Sequence, residues 1–210
     1  MRKRFSNGFV VLVMLVLGIS GAFASTAWAN EIGLKLGYQH SEGIKAGIFY
    51  AFDLSDTVAI QPEVYYSQRK YEYGPLYWYG YDMVGETFYD TVRFIEVPVL
   101  LKYKMKLRGD FKPVFFGGGY ASFRLSRESF MDSPPSYFLG WRRYADVDGG
   151  FVVGAGFQYI EAKVGYHFDV RANFGMGWVQ QLDPNMLSPF YIPPIENYNR
   201  SLSIMVGISF

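Results

Sequence analysis

From Ile32 onward, apolar and polar residues alternate with period two through most of the chain. Successive side chains of a strand point to opposite faces, so a one-sided apolar environment leaves this trace. Ile32, Leu34, Leu36 and Tyr38 are set against Gly33, Lys35, Gly37 and Gln39. Ile44, Ala46, Ile48, Tyr50 and Phe52 then oppose Lys45, Gly47 and Asp53, and Val58, Ile60, Pro62, Val64 and Tyr66 oppose Gln61, Glu63 and Ser67. In the next stretch Ile95, Val97, Val99, Leu101, Tyr103 and Met105 lie opposite Glu96, Lys102 and Lys104. The cleanest run sets Val164, Tyr166, Phe168, Val170, Ala172 and Phe174 against Lys163, Gly165, His167, Asp169, Arg171 and Asn173. "FVVGAGFQY" and the closing "SLSIMVGISF" add two more segments. The eighth, Phe111 to Leu125, carries aromatics on both parities and the triplet Gly117 to Gly119, so its faces stay open and a bend or close backbone approach is expected.

Between these segments the links fall into two kinds. "LSDT", "RGD" and the step around Glu161 are hairpin-sized. Those after the third, fifth and seventh segments are about 20 residues long and hold seven of the ten prolines, and only "HSEG", after the first, breaks the long pattern. Short turns at one end and long loops at the other predict an all-β, eight-stranded, antiparallel up-and-down transmembrane β-barrel, the size of the smallest outer-membrane barrels. A soluble barrel gives the same alternation with the faces exchanged. Three features favour lipid outside: glycines at 33, 37, 47, 154, 156, 165 and 207 on the second face, aromatics (Tyr38, Phe52, Tyr66, Phe174) near the stripe ends, and Phe210 in register with the apolar face. A closing strand must pair so that no backbone group is bare in hydrocarbon, a reason to end as a strand. Pro62 and Pro98 lack a ladder donor, so each is expected at a bulge or a donor-free position.

The first thirty residues read differently. Arg2, Lys3 and Arg4 precede an apolar run of about ten residues, short of the roughly 20 that span a bilayer, and "AWA" at Ala27 to Ala29 fits a signal-peptidase site. Residues 1–29 are expected to be a cleaved signal peptide and 30–210 one barrel domain of 181 residues. Losing those three basic residues takes the formal charge from +1 to −2, which gives no basic excess for nucleic acid. Cysteine is absent, so neither a disulfide nor a lipidated N-terminus is available.

"IKAGIFYAFDLSDTVAIQPEVYYSQR" followed by "FIEVPVLLKYKM" resembles the PorT-like outer-membrane β-barrel family, through the hairpin into the third segment, Gln61 to Glu63 and Ile95 to Pro98. The likeness covers most of the chain after residue 29. It implies a Gram-negative outer membrane of the Bacteroidetes type; a role in protein secretion does not transfer on any motif here.

Candidate chemistry divides between lumen and loops. Lys35, Lys45, Glu63, Glu96, Lys102, Lys104, Lys163, His167, Asp169 and Arg171 fall on the lumen parity. They predict a salt-bridged plug, since an eight-stranded bore is filled by side chains, with a charged, porin-like channel as the alternative. A small outer-membrane lipid hydrolase would need His, Ser and an acid. His167, beside Asp169, reads as a hydrogen-bonded interior residue, and His40-Ser41-Glu42 as rim polarity. No G-x-S-x-G occurs, so no catalytic residue is assigned and the chain is read as a non-enzyme. "RGD" falls in a short turn and "GAGF" inside a strand, which removes their adhesion and nucleotide readings. No metal or cofactor is implied. Tyr71 to Asp90 holds eight aromatics in twenty residues. With the loops around 137 and 190, this marks Tyr77, Trp78, Tyr79, Tyr81, Tyr137, Trp141, Arg142, Arg143, Phe190 and Tyr191 as a candidate binding surface. The function expected is a monomeric outer-membrane protein of structural or interaction type. It would contact lipid and lipopolysaccharide and meet a protein or glycan at its loops.

Overall fold

The computed structural model describes residues 30–40, 43–73, 78–79, 82–83, 88–130, 142–182 and 197–210. Eight long strands run through them: β1 (Asn30–Gln39), β2 (Gly43–Asp53), β3 (Val58–Tyr73), β4 (Phe88–Lys104), β5 (Phe111–Phe130), β6 (Val147–Glu161), β7 (Val164–Leu182) and β8 (Asn197–Ser209). Each is antiparallel to its sequence neighbours. β1 also pairs with β8 from Gly33↔Ser209 to Gln39↔Ser203. The sheet is therefore closed, and every long strand has a partner on both sides. That is the condition for strands in hydrocarbon, where an unpaired N–H or C=O costs several kcal/mol. Phe210 extends the closure, its N–H donating to Ile32 O at 2.9 Å and its carbonyl accepting from Ile32 N at 3.3 Å.

The two faces divide as the alternation does, except that Phe52, on the outer parity, is buried. Ile32, Leu34, Leu36 and Tyr38 face out on β1, as do Ile204 and Val206 on β8 and Leu101 and Tyr103 on β4. Each leaves about half its surface open. Lys35, Glu63, Glu96, Lys102, Asp169 and Arg171 are buried inside. A soluble barrel requires the reverse, so the soluble reading fails on this point. Inside, the mixed aromatics of β5 resolve: Phe116 and Tyr120 turn in and pack with Leu100 and Val152, while Phe111 and Phe115 face out. Gly118 sits so close to β4 that an added Cβ would lie 1.9 Å from Val99 O, which is the close approach the glycine triplet signals.

Neither proline makes a bulge. The β3–β4 offset is the same on both sides of Pro62, and the β4–β5 offset is unbroken through Pro98, so both occupy donor-free positions. The β4–β5 irregularity falls instead between Arg93 and Phe94, opposite Leu125.

At one end the connections are tight. Ser55 Oγ accepts from the N–H groups of Thr57 (3.3 Å) and Val58 (3.1 Å) in the β2–β3 turn. Gly109 has φ 103° in the β4–β5 turn, a conformation that favours glycine, which gives the Arg108-Gly109-Asp110 string a backbone reason. Ala162 (φ 55°) and Lys163 make the two-residue β6–β7 turn. Lys163 is thus on an exposed turn and not in the lumen, because β7 begins one residue after the alternation does. At the other end β3, β4, β5 and β7 run to 16–20 residues, beyond the 9–11 that a transmembrane strand needs. The strands take up part of what the sequence offers as long loops.

Candidate functional site

All eight strands send polar side chains into the bore, and seven of the charged ones form two ion-paired clusters, while Asp90 pairs separately with Arg127. Period two does the placing: Glu63, Tyr65, Ser67 and Arg69 follow one another on the inner face of β3, and His167, Asp169, Arg171 and Asn173 on that of β7. In the first cluster Lys35 reaches Asp169 at 2.6 Å and Glu63 at 3.3 Å. Arg171 holds Glu63 with both terminal nitrogens, one at 2.9 Å, and donates to Asp169 at 2.8 Å. Gln61 Nε2 donates to Glu63 at 2.6 Å. Glu63, Asp169 and Arg171 are each 1 % exposed, so these ions depend on one another instead of water. The second cluster, on the loop side, is Glu96 with Lys45 on one carboxylate oxygen and Arg69 on the other.

Aromatic rings lie against the same cations. Lys35 sits 4.6 Å from the Phe49 ring centre, Arg69 4.8 Å from Phe94, and Arg171 5.0 Å from Phe116 and 5.5 Å from Tyr65. Glycines make the room. A Cβ on Gly33 would lie 2.5 Å from the Phe49 ring, on Gly47 2.5 Å from Tyr65, and on Gly154 2.4 Å from Phe116. The glycine-rich inner face and the charged inner face are one arrangement: small residues on one strand admit the ring or cation of another.

Lys102 stands apart among the buried lysines. It makes no ion pair among the described residues, and its ammonium approaches Gln61 Oε1 at 3.4 Å. Lys104, one step nearer the turns, pairs with Asp53 at 2.5 Å.

His167 lies below the first cluster, and its partners are not Asp169. Its Nε2 is 2.8 Å from Glu31 and 2.9 Å from Ser209 Oγ, and Ser209 in turn donates to Glu31. Ser, His and Glu in mutual contact invite comparison with a hydrolytic triad, but the geometry is wrong. A triad places the acid on Nδ1, leaving Nε2 to take the serine proton. Here acid and serine share Nε2, Nδ1 has no hydrogen-bond partner among the described residues, and the Phe49 ring packs edge-on at 5.1 Å. The arrangement is a hydrogen-bonded interior histidine. His40 is exposed at the loop end of β1, with Ser41 and Glu42 outside the described residues.

Several members of the bore are missing from a reading of sequence alone. Glu31 and Ser209 lie on the lumen parity of β1 and β8 but meet only on closure, 178 positions apart. Arg69 continues the β3 alternation past Ser67, and Asp148 takes a hydrogen bond from Tyr120 at 3.2 Å. Of the loop candidates, Tyr77, Tyr81, Tyr137, Trp141, Phe190 and Tyr191 lie outside the described residues. The backbones of Trp78 and Tyr79 pair with Met83 and Asp82, and those of Arg142 and Arg143 with Leu182 and Gln181; their side chains are not described.

Residues 6–180 match the family described as outer membrane protein beta-barrel domain. The chain belongs to this family. Its members' setting is the outer membrane, and that is the localisation here. No curated protein matches the chain in sequence. Among solved structures, a major outer membrane protein from Thermus thermophilus is similar at 10 % identity, with TM-score 0.54, over 87 % of this chain and 99 % of that one. Neisserial surface protein A is similar at 14 % identity and TM-score 0.49, over 88 % and 96 %. The N-terminal β-barrel domain of Pseudomonas aeruginosa OprF follows at 11 % and 0.45, over 87 % and 99 %. At such identities the likeness is one of fold.

Proposed function

We propose that this outer-membrane barrel works at its ends and not through its bore. The observation that supports it is the lumen: cations and carboxylates from five strands neutralise one another across the space through which a solute would pass. In this reading residues 1–29 are an export signal cleaved after Ala29, and residues 30–210 are a PorT-like barrel of a Bacteroidetes-type outer membrane. The barrel is monomeric and without catalytic activity. Its long strands exceed the length that a bilayer needs. Tyr77, Trp78, Tyr79, Tyr81, Tyr137, Trp141, Arg142, Arg143, Phe190 and Tyr191 then offer flat rings and guanidinium groups to a polysaccharide or protein at the cell surface.

The loop assignment is tested with the protein in nanodiscs over immobilised lipopolysaccharide polysaccharide. Changing Tyr77, Trp78, Tyr79 and Tyr81 together to Ser is expected to weaken retention by about tenfold or more, a loss of about 1.4 kcal/mol. The unboiled gel mobility should stay that of a folded barrel. Equal retention of both proteins would overturn the loop assignment.

A further inference from the structure

The end of the barrel with the short turns opens into a cavity of about 430 Å³, within the range of small-molecule sites. Its wall follows the sheet. Lys112 on β5 is opposite Gln158 on β6, Gln158 is opposite His167, and Ile160 is opposite Gly165 on β7. Most charges here are already matched: Lys104 with Asp53, and Lys106 with Asp56 at 3.0 Å, where the ammonium holds the exposed Asp56 carboxyl below its ordinary range. Two cations are left. Lys112 and Lys163 line the cavity and make no ion pair or hydrogen bond among the described residues, Lys112 acting on the Asp56 carboxylate only through space. A third group is unmatched, and it is an acceptor. Gln158 is 1 % exposed; its Nε2 donates to both Glu31 oxygens at 3.0 and 3.1 Å, and its Oε1 has no partner among the described residues. The amide cannot turn over, because the Glu31 carboxylate only accepts. Oε1 therefore stays turned away from Glu31.

We propose that the cavity binds the C-terminus of a periplasmic peptide. The terminal carboxylate lies between Lys112 and Lys163, the last amide N–H donates to Gln158 Oε1, and the last side chain rests on Ile160. An isolated anion would satisfy the lysines and leave the buried Gln158 oxygen bare, at the cost of an unmatched polar group. A carboxylate with an N–H one carbon away satisfies all three. Short turns of outer-membrane barrels face the periplasm, which sets the source of the peptide.

The probe is N-acetyl-Ala-Ala-Leu, as the free acid and as the C-terminal amide, titrated calorimetrically into the full-length barrel in detergent micelles. The acid is expected to bind at about 1 mM or tighter and the amide at least about tenfold more weakly. Lys112→Ala with Lys163→Ala should weaken the acid by about tenfold or more with unboiled gel mobility unchanged. Arg108→Ala, on the neighbouring turn, should leave affinity as it was. Acid and amide binding alike would overturn the proposal, as would an acid that does not bind. Inorganic phosphate displacing the acid at equal concentration would also overturn it, reducing the cavity to a simple anion site. The loop experiment reads the opposite end of the barrel, so the two ideas fail separately.

Discussion

Replacing Glu63 with Gln is expected to lower the unfolding free energy of the micelle-folded barrel by about 3–5 kcal/mol. Glu63 is the carboxylate on which Arg171, Lys35 and Gln61 converge. Without its charge, Arg171 and Lys35, both buried, share Asp169 alone. Breaking one side of a buried pair is costly because the other ion is stranded. Changing Glu63 to Gln and Arg171 to Met together should therefore cost clearly less than the two single losses added, the sign of direct coupling. Urea titration followed by tryptophan fluorescence and gel mobility measures both. A Glu63→Gln loss below about 1 kcal/mol would be that of a solvated pair, and the plug would be hydrated and open.

The second large effect is steric. Gly154→Val is expected to abolish the heat-sensitive folded band altogether. A Cβ at that position meets the Phe116 ring edge at 2.4 Å and Val170 O, a backbone atom of β7, at 2.4 Å. The ring has little freedom, since Phe116 packs on Leu100, Tyr120 and Val152 and carries the Arg171 guanidinium on its face. Overpacking of a filled interior costs about 1–3 kcal/mol or more, and here the sheet itself would have to move. Gly117→Ala is the control. Its Cβ would find its nearest neighbours at 3.7 Å, so the barrel should fold normally. A normal band for Gly154→Val would mean that the bore has room to spare.

Both effects concern residues whose type and parity are visible in the sequence but whose partners are not. Lys35, Glu63, Asp169 and Arg171 announce their face by alternating with Leu34, Val64, Phe168 and Val170. Which carboxylate meets which cation depends on strands 28 and 134 positions apart, and so on closure. The Glu31–His167–Ser209 group is harder still, because it joins the first, seventh and eighth strands at their turn ends. β5 resists for another reason. Where the lumen holds Phe116 and Tyr120, the inner face is as aromatic as the outer one, and period two loses its contrast. Lys163 misleads in the opposite way, continuing the alternation into a turn.

A filled bore makes the most direct claim on the whole molecule. Single-channel recording in a planar lipid bilayer, with the protein refolded and its unboiled mobility verified, tests that claim. The ion-paired lumen predicts a flat baseline with no conductance steps. Stable, reproducible steps from the folded barrel would contradict it and turn the same charged residues into the lining of a pore.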